Sequence, residues 1–333
     1  MDALSEILRV VNLKGAVFFQ ARFTSPWRYE SPDAATLARA FDSGGEHLVL
    51  YHLLTEGECS VIFDGMPPIQ LRAGDVILIP HGDAHTMASP ATARQNAQMD
   101  MQAVLRERPR VLDFGGTGEA GRFICGYMAC DPRLLRPILE ALPRAVTVSL
   151  RSGGESHWLE RSIGDALEEA SSPKPGGESV LAKLSEVMVV ETLRRYIAQI
   201  SSDQRSWLGG LRDQMVGKSL ALMHEQPAHP WTVDTLAKSI GVSRSVLAER
   251  FTHFVGQPPI QYLAKWRMAL AANYLSRTSL SLTRVAEEVG YETAAAFNRA
   301  FRREYGHPPA TWRRDHAQVN APSLPAGNPS PAG

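Results

Sequence analysis

Val289-Gly-Tyr-Glu-Thr-Ala-Ala-Ala-Phe-Asn-Arg-Ala-Phe-Arg-Arg-Glu-Tyr-Gly-His-Pro-Pro309 repeats, in outline, a stretch fifty residues earlier. The earlier copy reads Gly241-Val-Ser-Arg-Ser-Val-Leu-Ala-Glu-Arg-Phe-Thr-His-Phe-Val-Gly-Gln-Pro-Pro259. Phe251, Gly256, Pro258 and Pro259 find counterparts in Phe301, Gly306, Pro308 and Pro309 at an offset of 50, and Ala237 and Gly241 match Ala286 and Gly290 at 49. The one-residue difference falls between Gly290 and Thr293, where a turn absorbs an insertion at little cost.

Each copy reads as helix, tight turn, helix. In the first, residues 233–240 place Leu236, Ala237 and Ile240 on one face, and Gly241 ends the helix where a left-handed backbone is needed. Ser243 is the N-cap of a second helix whose inward face is Val246, Leu247, Phe251 and Phe254. In the second copy, residues 282–289 carry Val285, Ala286 and Val289, Gly290 stops the helix and Thr293 caps the next, with Phe297, Ala300 and Phe301 inward. The small Ala237 and Ala286 let the second helix of each pair cross closely, the pattern of a helix-turn-helix. Between the copies, Pro258-Pro259 starts a helix whose stripe is Tyr262, Leu263, Trp266, Leu270 and Tyr274. Over residues 260–275 it spans ~24 Å, a rigid spacer for two reading heads about one DNA turn apart.

The stretches 243–251 and 289–309 resemble the signature of AraC-type regulators, and the resemblance covers residues 212–314. It implies that the second helix of each unit enters the major groove of double-stranded promoter DNA. Carried over by position, the base-facing set is Arg244, Ser245, Ala248 and Glu249 in the first unit and Ala294, Ala295, Asn298 and Arg299 in the second, beside the caps Ser243 and Thr293. Some family members carry long side chains where this chain has Ser245, Ala248, Ala294 and Ala295; small groups there suit thymine methyls rather than bidentate hydrogen bonds. Lys265, Arg302, Arg303 and Arg313 read as phosphate-facing. The further expected partners are a small-molecule effector, RNA polymerase, contacted as activator or repressor, and a second copy of the chain in a homodimer.

Charge follows the same division. The 333 residues balance at a formal net charge of zero, yet from Leu211 onward there are 14 Lys+Arg against 9 Asp+Glu, leaving 21 against 26 before it. A basic rear and acidic front fit a polyanion partner for one half. Three cysteines, Cys59, Cys125 and Cys130, do not make a disulfide framework. No apolar run approaches the ~20 residues of a membrane span, so the expected location is cytoplasmic, without a membrane partner.

The fold class expected for the whole chain is α+β, multidomain. Residues 7–115 are mostly short strands punctuated by Gly, Asp and Pro, the pattern of a β-barrel or a double-sheet jelly roll. From residue 132 the spacing turns helical, with helices over 158–170 and 180–200, a loop at 171–177 and a polar linker at 201–210. The expected layout is a sensing barrel at 1–131, a helical dimerisation region at 132–200, an all-α double helix-turn-helix at 211–316 and a disordered tail at 319–333.

Gly74-Asp-Val-Ile-Leu-Ile-Pro-His-Gly-Asp-Ala-His85 has its Gly, Pro, Gly and His at the spacing of the second cupin motif. The first cupin motif is reduced: His47 and His52 are not a His-x-His pair followed by a glutamate. The front half therefore resembles the cupin-like sensor of one AraC branch, with His47, His52 and His85 as candidate effector contacts. The same three with Cys125 are the ligand types a transition metal takes. No cofactor is expected. The leading expectation is a ligand-responsive regulator without enzymatic activity. The alternatives are a metal-dependent cupin enzyme fused to a DNA-binding domain, and a cupin half that is only a dimerisation scaffold.

Overall fold

The computed structural model describes residues 2–11, 13–41, 47–90, 97–99, 104, 111–151, 159, 161–163, 175–201 and 203–317. The chain divides into two compact units: Ile7–Asp213, and the residues from Gln214 onward together with the stretch ending at Glu6. Helix α1 (Ala3–Val11) has residues in both.

The first unit is built on eleven described strands: β1 (Lys14–Thr24), β2 (Trp27–Ser31), β3 (His47–Glu56), β4 (Glu58–Ile62), β5 (Ile69–Arg72), β6 (Asp75–Ile79), β7 (His85–Ala88), β8 (Ala97–Gln98), β9 (Val111–Gly115), β10 (Ala120–Cys130) and β11 (Val146–Ser149). They form a six-stranded sheet in the order β11-β6-β3-β10-β1-β9 and a five-stranded sheet in the order β5-β4-β7-β2-β8. Of the two architectures the strand pattern allowed, the double sheet is the one observed: the described strands do not close into a hydrogen-bonded ring. Pairing is antiparallel except for β1 with β9 and β2 with β8. Phe23, Leu48, Leu50, Leu54 and Phe123 from one sheet meet Trp27, Tyr29, Val61, Leu71 and Met87 from the other in a single core.

The β3 sequence is apolar almost throughout because the strand is buried on both faces. Leu48, Leu50 and Leu54 point into the inter-sheet core. On the opposite face, the Tyr51 hydroxyl donates to Ser185 Oγ at 2.7 Å. Four further described helices belong to this unit: α2 (Ala34–Phe41), α3 (Pro132–Leu139), α4 (Gly177–Gln199) and α5 (Trp207–Arg212). Asp131 caps α3, its carboxylate accepting from the Arg133 backbone N–H. α4 packs on β1 and β11.

Two element expectations are corrected. α2 interrupts the stretch read as strands, and β11 pairs with β6 inside the stretch read as helical. Val146-Thr-Val-Ser149 is too short for its alternation to outweigh the helical spacing before it. Most of the helix expected at 158–170, most of the loop at 171–177 and the tail at 319–333 lie outside the described residues.

The second unit carries seven described helices: α6 (Gln214–Glu225), α7 (Val233–Ile240), α8 (Arg244–Val255), α9 (Pro259–Arg277), α10 (Leu282–Glu288), α11 (Ala294–Tyr305) and α12 (Pro309–Ala317). α8 packs against α6 and α7, and α9 touches α10, α11 and α12. No described helix is long and apolar enough to cross a membrane.

Candidate functional site

The internal repeat is reproduced down to the caps. Ser243 Oγ accepts from the Val246 N–H at 3.3 Å, and Thr293 Oγ1 accepts from the Ala296 N–H at 3.2 Å. Gly241 and Gly290 hold φ of 78° and 77°. At Gly290 a side chain is also excluded sterically: a Cβ there would lie 2.6 Å from the Ala228 carbonyl oxygen. In the first unit Leu236, Ala237, Leu247, Phe251 and Phe254 are buried; in the second, Val285, Ala286, Val289, Phe297, Ala300 and Phe301. One expected core residue is misplaced. Val246 is 44% exposed, because Leu247, Phe251 and Phe254 at i, i+4 and i+7 already fill the inward stripe.

The outward faces of α8 and α11 differ in chemistry. On α8, Ser243, Arg244, Ser245 and Glu249 are exposed and Ala248 is half-buried. Arg244 lies 3.4 Å from Asp234 of α7, both exposed; such a pair is worth at most ~1 kcal/mol and opens readily. On α11, Thr293, Ala295, Asn298, Arg299, Arg302 and Arg303 are exposed and Ala294 is half-buried. Among the described residues no ion pair engages Arg299, Arg302 or Arg303. Lys265 is exposed on α9. Arg313, expected to face phosphate, instead donates to the Leu280 carbonyl and is half-buried.

Arg267 is a residue the sequence reading missed. From α9 its guanidinium donates to the carbonyls of Pro227 at 2.7 Å and His229 at 2.8 Å. It pins the 226–231 loop to the spacer helix. An arginine on a mostly apolar helix was the available signal, but its partners lie some forty residues away in sequence. His224 on α6 is another: it stacks on Trp266 at 4.4 Å, and its Nε2 meets the Tyr262 hydroxyl at 2.7 Å. Burial pulls its pKa down to about 3, so it packs as a neutral aromatic group.

In the cupin-like unit, His47 separates from the other three candidate ligands, which stand in contact with one another. His52, five residues after His47 on the same strand, points to the opposite face. His47 Nε2 meets the Pro80 carbonyl at 2.7 Å. His52 contacts Cys125 Sγ through Nδ1 at 2.9 Å and His85 Nε2 through its own Nε2 at 2.7 Å. His85 Nδ1 meets the Asp83 carbonyl at 2.9 Å. A carbonyl only accepts, so His85 Nδ1 carries the proton and His85 Nε2 accepts. His52 Nε2–H must then donate to it, which leaves His52 Nδ1 to accept the Cys125 thiol hydrogen. The result is a directed chain, Cys125 to His52 to His85 to the Asp83 carbonyl.

Electrostatics agree with neutral members throughout. Burial, helped by the neighbouring His85, holds His52 well below the ordinary histidine range, and burial lowers His85 to about 4. Burial pushes the Cys125 thiol well up and Cys59 to about 12. All three cysteines are buried, and none forms a disulfide. The two nitrogens of His52 face opposite ways, so His52, His85 and Cys125 do not converge on one point as a metal's ligands must. Among the described residues no group of three His, Cys, Asp or Glu side chains is arranged to hold a metal ion. A cleft of about 260 Å³ opens where the turns after β1, β3, β7 and β9 meet, lined by Ser25, Trp27, Gly57, Glu58, Ser89 and Glu119 among others.

The comparisons agree with both halves. A family model described as cupin matches residues 2–198, and one described as a helix-turn-helix domain matches residues 236–315. A Streptomyces antibioticus protein named as an AraC-like transcription regulator is 30% identical over 316 residues, covering 94% of this chain and 99% of that protein. The transcriptional regulator AlkR of Acinetobacter baylyi is 27% identical over 321 residues, covering 94% and 99%. The transcriptional activator RclR of Escherichia coli, named as specific for RCS, is 26% identical over 320 residues, covering 96% and 99%. Among solved structures, the DNA-binding domain of AdpA, in complex with a target DNA, is 28% identical; it covers 32% of this chain and 96% of that one, at a TM-score of 0.31. The chain belongs to the AraC family of DNA-binding transcription regulators, with a cupin domain ahead of its helix-turn-helix domain.

Proposed function

We propose that this regulator reads promoter DNA with α8 and α11 side by side, and that its cupin unit controls the reading in response to a small molecule rather than performing catalysis. The observation that carries the DNA half is the pair of capped, exposed helices, one bearing three arginines with no ion-pair partner among the described residues. Arg244, Ser245, Ala248 and Glu249 form the first reading set; Ala294, Ala295, Asn298 and Arg299 form the second. Lys265, Arg302 and Arg303 hold the phosphates, and Ser243 and Thr293 fix the helix starts. α9, ~28 Å long over its 19 residues, keeps the two heads apart by roughly one DNA turn.

For the small molecule, the cleft at the β1, β3, β7 and β9 turns is the described space that supports the reading. His52 and His85 are already satisfied by each other and by a carbonyl. The further partners are RNA polymerase at the promoter and a second copy of the chain, in the cytoplasm. Residues 1–131, 132–200 and 211–316 serve as sensing, dimerisation and DNA-binding segments. Much of the buried face of α4 is taken up by its own sheet: Leu181, Met188 and Leu193 are buried, while Val180 and Val187 remain exposed. A dimer through α4 therefore rests on the narrower exposed side.

Arg299→Ala tests the reading set. A guanine contact is worth ~1–3 kcal/mol of discrimination. The variant should bind a selected site about tenfold more weakly and lose preference at one or two base pairs. Binding to unrelated duplexes should stay nearly intact. Equal weakening across all single-base variants of the site would assign Arg299 to phosphate instead.

A further inference from the structure

Among the large apolar side chains described, few stand in solvent: Val111, Val180, Val187 and Val246. Of these only Val246 lies on a helix of the DNA-reading repeat. It occupies the first turn of α8, directly after Arg244 and Ser245. Glu249 and His253 follow at i+3 and i+7, both exposed, so all three share one outward face.

Nothing in the scaffold calls for an isopropyl group there. The internal repeat supplies the control within the same chain: the matching position in the second unit, three residues after the cap Thr293, is Ala296. Both helices keep the same cap bond, and the buried Leu247 and Phe251 of one match the buried Phe297 and Phe301 of the other, with either residue at that position. Valine is also a worse helix former than alanine, and exposing it gains no burial. A residue that helps neither helix nor core, on the face that carries the reading set, is accounted for by what it meets outside the protein.

The major groove offers one apolar group on its base edges, the C5 methyl of thymine. We propose that Val246 reads a thymine methyl in the half-site under α8. The adjacent Glu249 accepts only, and therefore suits a cytosine amino group at a neighbouring pair. The first helix then selects by an apolar and an acidic contact, and the second by its arginines. This inference rests on the DNA-reading role proposed above for α8.

Removing only the methyl tests it. The full-length protein selects duplexes from a randomised pool, and each thymine of the enriched site is then replaced in turn by deoxyuridine. For the wild type, one such replacement should weaken binding about fourfold, the effect of losing one buried methyl-sized group. For Val246→Ala the same replacement should have no effect, and its affinity for the thymine site should already be lower by a similar factor. The variant keeps its fold because the second unit is built with alanine at that position. Equal sensitivity of both proteins at every thymine, or of neither, overturns the assignment to Val246. Failure of the wild type to enrich any sequence overturns the DNA-reading role as well, and is a separate outcome.

Discussion

The hydrogen-bond chain from Cys125 through His52 and His85 to the Asp83 carbonyl has one allowed direction, and that direction ties stability to pH. Both imidazoles must stay neutral in the native state, and both have pKa values below the ordinary 6.5, His85 at about 4. In the unfolded chain they take up protons near pH 6.5, so between pH 6.5 and 4 the unfolded state binds more protons and stability falls as pH falls. One such histidine contributes ~1.4 kcal/mol per pH unit over that window. Denaturant titrations of the full chain across it, followed by amide exchange in β3, β6 and β10, should show this slope, and His85→Gln should flatten it. An unchanged slope in the variant would place the acid sensitivity elsewhere. The sequence showed His85 at the end of a turn-strand-turn motif. It did not show that His47 and His52 diverge, since the motif that would pair them is reduced and only strand parity separates them.

At the scale of the element, helix caps were the most legible feature. Ser243, Thr293, Gly241 and Gly290 are where their local chemistry places them, because a cap bond spans three residues and needs no tertiary partner. Val246 was misread for a related reason: it is apolar and adjacent to Leu247, and nothing local distinguishes an inward valine from an outward one. β11 and α2 escaped because short segments take their state from the sheet they join. Arg267 was invisible because its carbonyl partners are brought by the fold. Its two charge-assisted bonds make the 226–231 loop part of the α9 surface. Arg267→Ala should destabilise the second unit by about 2 kcal/mol. Hydrogen exchange should speed up at 227–231, with β3 and β10 of the cupin unit unchanged. Protection retained in that loop would mean that Arg267 is incidental to it.

Over the whole molecule the sequence conveyed a division of labour. The tandem repeat pointed to the rear half, the cupin spacing to the front half, and the sign split of charge set one against the other; a cupin model matches residues 2–198 and a helix-turn-helix model residues 236–315. The second unit is proposed to grip DNA by neutralising phosphates and to read it by the faces of α8 and α11. The most direct measurement is the salt dependence of affinity of the full-length chain for an enriched duplex, beside that of Arg302→Ala/Arg303→Ala. Log affinity should fall linearly with log salt concentration, and the double variant should lower the slope by about 2 while keeping the same sequence preference. A salt-independent affinity, or a double variant with an unaltered slope, would contradict it.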